Sequence, residues 1–163
     1  MLTAERLRSL LRYDPDTGHF IWRVTRTNSR PKGSRAGNLR RDGYRAISID
    51  RRLYLEHVLA WLYVTGKMPA GEIDHADLDR AGNRWSNLRP ATLSQNRANT
   101  GMRKDSSSGF KGVSFHHASG RYSARIQVDG RRMTLGFCHT AEDAARLYAD
   151  AAEKHFQKFA RTA

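Results

Sequence analysis

Asp74 and His75 stand side by side in EIDHADLDRAGNRWSNLR, residues 72–89, a polar stretch that also holds Asn83 and Asn87 among turn-forming residues. Asn96 follows shortly after. A carboxylate and an amide oxygen are hard donors, suited to Mg²⁺ or Mn²⁺ rather than to zinc. Two protein ligands, Asp74 and Asn96, would leave coordination positions for water and a phosphate, which is what phosphodiester hydrolysis needs. One divalent metal ion held there would stabilise charge on the phosphate and on the leaving oxygen. A neutral His75 would take a proton from the attacking water. Its other ring N–H needs an acceptor, and Asn87 is expected to offer its side-chain oxygen. The plain alternative is an ordinary hairpin with polar residues at its ends.

These residues need elements to bring them together. EIDH reads as a strand, DLDRAGN as a turn and NLRPA as a second strand. Thr92 and Gln95 have the spacing of a capping box that launches a helix through Asn96 to about Asn99. Upstream, Thr3 caps a short helix in LTAERLRSLLR, and DPDTG turns the chain into the strand HFIWRV. YRAISI alternates as a strand, DRR turns it toward LYLE, and LEHVLAWLYVTG has the spacing of a buried helix with Gly66 as its C-cap. His57 within it is expected to pack or bond locally, and Trp61 and Trp85 to be core.

Lys and Arg outnumber Asp and Glu by 29 to 16, a net charge of +13 that points to a polyanionic partner. The excess is not uniform. Residues 23–52 hold ten basic groups against Asp42 and Asp50, and residues 101–140 hold seven against two. The Asp-His stretch belongs to neither block. Two basic blocks around a neutral middle suit a protein that holds double-stranded DNA at two places, with Arg40, Arg41 and Arg45 gripping the duplex near the reacting phosphate. A basic face that serves only solubility is the alternative for either block. A single cysteine, Cys138, excludes an internal disulfide and a cysteine-rich zinc site. With no signal peptide and no membrane-length apolar run, an intracellular protein is expected, without a small-molecule cofactor and as a monomer.

EIDHADLDRAGNRWSNLRPATLSQNRAN, with the YLEHVLAW helix before it, resembles the HNH (ββα-metal) nucleases, especially homing endonucleases of phage and bacteria. The resemblance covers about residues 44–100. It implies a ββα-metal core, His75 as general base, Asp74 and Asn96 as metal ligands and Asn87 as the residue orienting the histidine. Asn83 takes a loop position and a structural role. A non-catalytic DNA-binding protein with a decayed nuclease fold is the rival from another class.

GMRKDSSSG, residues 101–109, lacks periodicity and reads as a linker between a domain at 1–100 and another at 110–163. Beyond it FKGVSFHH, GRYSARIQV and RRMTLGF read as three strands, with Asp129-Gly130 as a hairpin turn. Thr140 and Asp143 open a helix whose Ala144, Leu147, Tyr148, Ala151 and Phe156 make one apolar side. Alternation puts Val113, Phe115, Tyr122, Ala124, Ile126, Val128, Met133 and Leu135 toward that helix. Ser114, His116, Arg121, Ser123, Arg125, Gln127, Arg132 and Thr134 fall on the opposite face. FKGV, YSARI, TLGF and TAEDAARLYADAA are similar to the ethylene-response-factor DNA-binding domain of plants. That resemblance implies that Lys111, Ser114, His116, Arg125, Gln127, Arg132 and Thr134 touch DNA. His116, His117, Cys138 and His139 do not make a convincing zinc set, since neighbouring residues point apart and only one thiol is present. The expected fold is α+β: a nuclease core with N-terminal β-hairpins, then a three-stranded antiparallel sheet packed on one helix.

Overall fold

A computed structural model describes residues 2–28, 30–102 and 106–162. It is an α+β chain that divides into two compact units, Met1–Pro90 and Ala91–Ala163.

In the first unit, α1 (Ala4–Leu10) starts at Thr3, whose hydroxyl accepts the Arg6 N–H, and buries Ala4, Leu7 and Leu10. The helix was expected to run through Arg12. Instead Leu11–Asp14 forms β1, paired antiparallel with β2 (His19–Trp22) in the register Leu11↔Trp22 to Asp14↔His19. The pairing lets Leu11 and Tyr13 join Leu7 and Phe20 in one core, a gain that a further helical turn cannot offer. The basic loop after β2 contributes β3 (Asn38–Leu39), which pairs with β4 (Arg45–Ile49), and β4 pairs with β5 (Arg52–Leu55). Then comes α2 (Glu56–Thr65), ended by Gly66 in the left-handed conformation at φ 78°. Leu59, Ala60 and Leu62 of α2 close the core over Ile47 and Ile49. Trp61 and Trp85, expected as core, are half-buried and stack on each other with centroids 5.3 Å apart.

β6 (Glu72–His75) and β7 (Leu88–Ala91) make a two-stranded sheet. Between them lie a loop and a single 3-10 turn, Trp85–Asn87, so Asn87 precedes the strand it was expected to start.

The second unit opens with α3 (Leu93–Asn99). Both bonds of its capping box form: Thr92 Oγ1 accepts the Gln95 N–H, and Gln95 Oε1 accepts the Thr92 N–H. β8 (Val113–His116), β9 (Arg121–Val128) and β10 (Arg131–Cys138) form an antiparallel sheet in the order β10-β9-β8. α4 (Ala141–Phe156) packs on it through Ala144, Tyr148, Ala152 and Phe156. The division after Pro90 falls ahead of the expected linker, whose residues 103–105 lie outside the described ones. Packing is the reason. Ala91 and Ala98 share a core with Ile126, Tyr148, Phe156 and Phe159, so α3 is built into the second unit.

Strand pairing follows the expected alternation up to one irregularity, but Phe115 and Met133, expected toward the helix, are 41% and 36% exposed, and Ser123, expected on the opposite face, is buried. The β9–β10 register shifts between Thr134 and Gly136, so Gly136, rather than Leu135, opposes Ala124. Beyond the shift Phe137 pairs with Ser123 and lies on the polar face, 46% exposed, its ring against His116 at 5.4 Å. Leu147 of α4, expected on the apolar side, is 36% exposed.

Candidate active site

Ile73, Asp74 and His75 are consecutive, and all three are buried at the end of β6. Ordinary strand alternation would bury one residue in two, so the chain beyond β6 must cover the second side. The loop 76–84 that follows is folded on its own polar side chains and buries Asn83. Asp77 Oδ1 accepts the Asp79 N–H at 2.8 Å, and Asp79 Oδ1 accepts the Ala81 N–H at 3.0 Å. Asn87 ties the loop shut. Its Oδ1 accepts the Asp77 N–H, while its Nδ2 donates to Asp77 Oδ1 at 2.8 Å and to the Gly82 carbonyl at 2.9 Å.

The contact expected from Asn87 to the histidine is made by Asn83. Its Oδ1 lies 3.1 Å from His75 Nε2, and its residue is 1% exposed. The two asparagines exchange the parts assigned to them from sequence because the loop is short. Asn87 is occupied at the loop's neck, and the curled backbone turns Asn83 inward. The amide orientation follows from its other partners. Asn83 Nδ2 donates to Glu56 Oε2 at 3.2 Å and to the Ala81 carbonyl at 3.1 Å, and both of these are acceptors. Oxygen therefore faces the imidazole, which makes Nε2 the nitrogen that donates to Asn83.

The N-terminal hairpin braces Asn83 from behind. Tyr13 donates its hydroxyl proton to the Asn83 carbonyl at 2.7 Å. The Trp85 N–H donates to the Pro15 carbonyl at 2.9 Å. Gly18, at φ +74°, lies so close that a Cβ there would sit 2.3 Å from the Asn83 carbonyl carbon. The DPDTG turn thus has a second use beyond reversing the chain.

Asp74 is 3% exposed, and its Oδ2 accepts from Arg89 Nε of β7 at 2.8 Å. His75 packs edge-on against His57 at 5.0 Å and lies 5.9 Å from the Tyr44 ring. His57 Nδ1 is the one buried side-chain polar atom without a hydrogen-bond partner among the described residues. Burial, with His75 adding to it, pushes the His57 pKa down to about 4. A neutral imidazole beside His75 adds no positive charge to the site. It also has a consequence for stability. The unfolded chain protonates this histidine near its ordinary 6.5, whereas the folded chain resists until about 4. Stability from this group is complete above about 6.5 and declines as pH falls across that window, by up to about 3 kcal/mol. Urea midpoints measured from neutral pH downward are expected to fall more steeply in the native chain than in His57→Leu. Parallel slopes would refute the burial account.

The residues expected to bind DNA divide. Arg40 and Arg41 are exposed, Arg40 pairing with Asp42 at 2.9 Å. Arg45 is turned inward, its Nε 3.2 Å from Glu56 Oε1 and its Nη2 donating to the Gly37 carbonyl at 2.9 Å. Lys111 likewise leaves the sheet face. Its ammonium donates to the Ala98 and Thr100 carbonyls at the end of α3, and burial lowers its pKa to about 8. Ser114, Arg125, Gln127, Arg132 and Thr134 lie on the polar face, where Arg125 opposes Thr134 and Gln127 opposes Arg132. His116 belongs to the same face and bonds Ser119 Oγ at 2.9 Å. A cavity of about 820 Å³ in this unit is lined by Ser114, Arg125, Gln127 and Arg132 together with Arg97 of α3.

Asn96 lies on α3, in the second unit, and is half-buried. Among the described residues no three His, Cys, Asp or Glu side chains gather as a metal site. Glu56 was not singled out from the sequence. A glutamate opening a helix is ordinarily a first-turn acid facing solvent, and only its complete burial marks it.

Residues 54–98 match the family model for HNH endonuclease. The matched segment runs from β5 to α3 and so contains Asp74, His75, Asn83, Asn87 and Asn96. The chain is also 34% identical over 124 residues to a protein of Acanthamoeba polyphaga mimivirus named as an uncharacterized HNH endonuclease. The similarity covers 75% of this chain and 63% of that relative. No solved structure matches. The HNH match does not extend to the sheet of the second unit, and none of the comparisons supports an ethylene-response-factor domain there. No helix among the described residues is long and apolar enough to cross a membrane.

Proposed function

We propose that the chain is a DNA endonuclease that hydrolyses phosphodiester bonds by a single-metal HNH mechanism, of the homing or mobile-element kind that the resemblance implies. The observation that carries this reading is the buried Asp74-His75 pair with Asn83 Oδ1 at His75 Nε2. That contact leaves Nδ1 as the basic nitrogen, able to take a proton from a water attacking phosphorus. The family pattern assigns the metal to Asp74 and Asn96, and their oxygen donors fit a hard divalent cation, Mg²⁺ or Mn²⁺. Such an ion would supply charge stabilisation at the scissile phosphate. Asn87 acts through the loop, holding its neck, while Asn83 orients the histidine.

The polar sheet face of the second unit is the surface proposed to hold double-stranded DNA. An antiparallel sheet can enter the major groove, where Arg and Gln meet base edges. Arg125, Gln127 and Arg132 lie on it, on a three-stranded sheet backed by one helix. Replacing Arg125 and Arg132 by alanine is expected to weaken binding and to flatten the salt dependence by roughly 0.9 in log–log slope for each phosphate no longer neutralised. Unchanged affinity in a filter or fluorescence titration would remove the sheet from the interface.

One observation favours the rival, a DNA-binding protein that does not cut: Asp74 already accepts from Arg89, which competes with a cation. Incubating purified protein with supercoiled plasmid decides between them. Nicking in Mg²⁺ or Mn²⁺ that EDTA stops supports the enzyme. Binding without nicking in either metal supports the rival.

A further inference from the structure

We propose that Glu56 is a positioning residue for His75, holding the amide of Asn83 in the one orientation that keeps the imidazole proton on Nε2. The role it would serve rests on the nuclease reading, but the geometry does not.

Glu56 opens α2 and is fully buried, a position an acidic residue occupies only when its charge is matched. Arg45 matches it. The guanidinium Nε meets Oε1 at 3.2 Å, and Nη2 is fixed on the Gly37 carbonyl. Gly37 makes room for this arrangement, since a Cβ at its φ of +82° would lie 2.1 Å from Glu56 Oε1. The second oxygen, Oε2, is then directed at Asn83 Nδ2.

An ionised carboxylate only accepts hydrogen bonds, and that is the source of the selectivity. If the Asn83 amide were reversed, its oxygen would face both Glu56 Oε2 and the Ala81 carbonyl, acceptor against acceptor. Its NH₂ would then point at His75 Nε2 and demand a lone pair there, which moves the imidazole proton to Nδ1. The chain Arg45–Glu56–Asn83–His75 therefore converts a buried ion pair into a choice of histidine tautomer. Burial pushes the Glu56 carboxyl up, and Arg45 and Arg35 oppose that rise.

The substitution Glu56→Gln keeps shape and removes the acceptor-only character, because Arg45 claims the glutamine oxygen and leaves an NH₂ facing Asn83, which then has a donor on one side and the Ala81 carbonyl on the other. In metal-free full-length protein at mildly alkaline pH, nitrogen-15 histidine spectra are expected to show His75 protonated at Nε2 alone. E56Q is expected to show signal from both tautomers. Its kcat for plasmid nicking should fall on the order of tenfold, part of the ~10²–10⁴ that a general base contributes, with KM unchanged. If E56Q does not fold, the double variant E56Q/N83D is read instead. There the glutamine NH₂ can donate to the new carboxylate, which in turn accepts from His75, so a single Nε2–H tautomer is expected. A single Nε2–H tautomer in E56Q, or mixed tautomers in the double variant, overturns the proposal. Because the spectra need no turnover, a protein that never nicks DNA would end the nuclease reading while leaving this result interpretable.

Discussion

His75→Ala is expected to lose metal-dependent nicking by about 10²–10⁴-fold while plasmid binding stays intact. The size of the effect follows from what the side chain supplies. No other imidazole close by offers the same nitrogen in the same setting. His57, 5.0 Å away, is buried among α2 and its neighbours, with an Nδ1 that meets no partner. Truncation at 75 also leaves Asn83 Oδ1 without its donor, so some loss of stability is expected, and thermal unfolding should be compared. Separating the two effects needs kcat at saturating plasmid rather than nicking at one concentration. A variant that nicks at the native rate would remove His75 from the chemistry and leave the Asp-His pair as buried structure.

A chain ending at residue 100 is expected to lose α3, and with it nicking, rather than affinity alone. α3 has seven residues, too few to be stable by itself in water. Its stability comes from the second unit. Ala98 packs with Ile126, Tyr148 and Phe156, Lys111 satisfies the Ala98 and Thr100 carbonyls, and Ser94 Oγ accepts the Asp129 N–H at 3.0 Å. Removing residues 101–163 deletes every one of those partners. The capping box remains but contributes about 1 kcal/mol, far short of what nucleation costs. Amide exchange over 93–99 should be fast in the short chain and protected in the full one. On the proposed mechanism Asn96 would hold the metal, so the short chain should fail to nick even at saturating DNA. Full nicking by the short chain would show that α3 is dispensable or forms without its core.

Much of the local structure was legible because local chemistry decides it. Thr3, Thr92 and Thr140 each cap a helix, Gly66 ends one, and Asp129-Gly130 turns a hairpin. These signals act over a few residues, so position along the chain carries them. Where a non-local partner competed, the local reading failed. Leu11 left the first helix because pairing with β2 and packing near Phe20 offered burial. Phe137 reached the polar face because one extra residue in β10 reversed the alternation beyond it. The boundary moved from a polar linker to Pro90 because Ala91 and Ala98 are small apolar residues whose partners lie far along the chain.

The candidate site divides along the same line. Residue types and spacing picked out Asp74, His75, Asn87 and Asn96, and their hard donors already pointed to a divalent metal and a phosphate, whereas Asn83 was assigned only a structural place in the loop. Only the tertiary structure decided which asparagine meets the histidine. Asn83 and Asn87 lie in irregular backbone, where no periodicity says which way a side chain turns. It alone also revealed Glu56, and that Arg45, expected to grip DNA, instead pairs with this acid eleven residues away. Burial gives a charge its directional force, and burial is a property of the assembled core rather than of any segment.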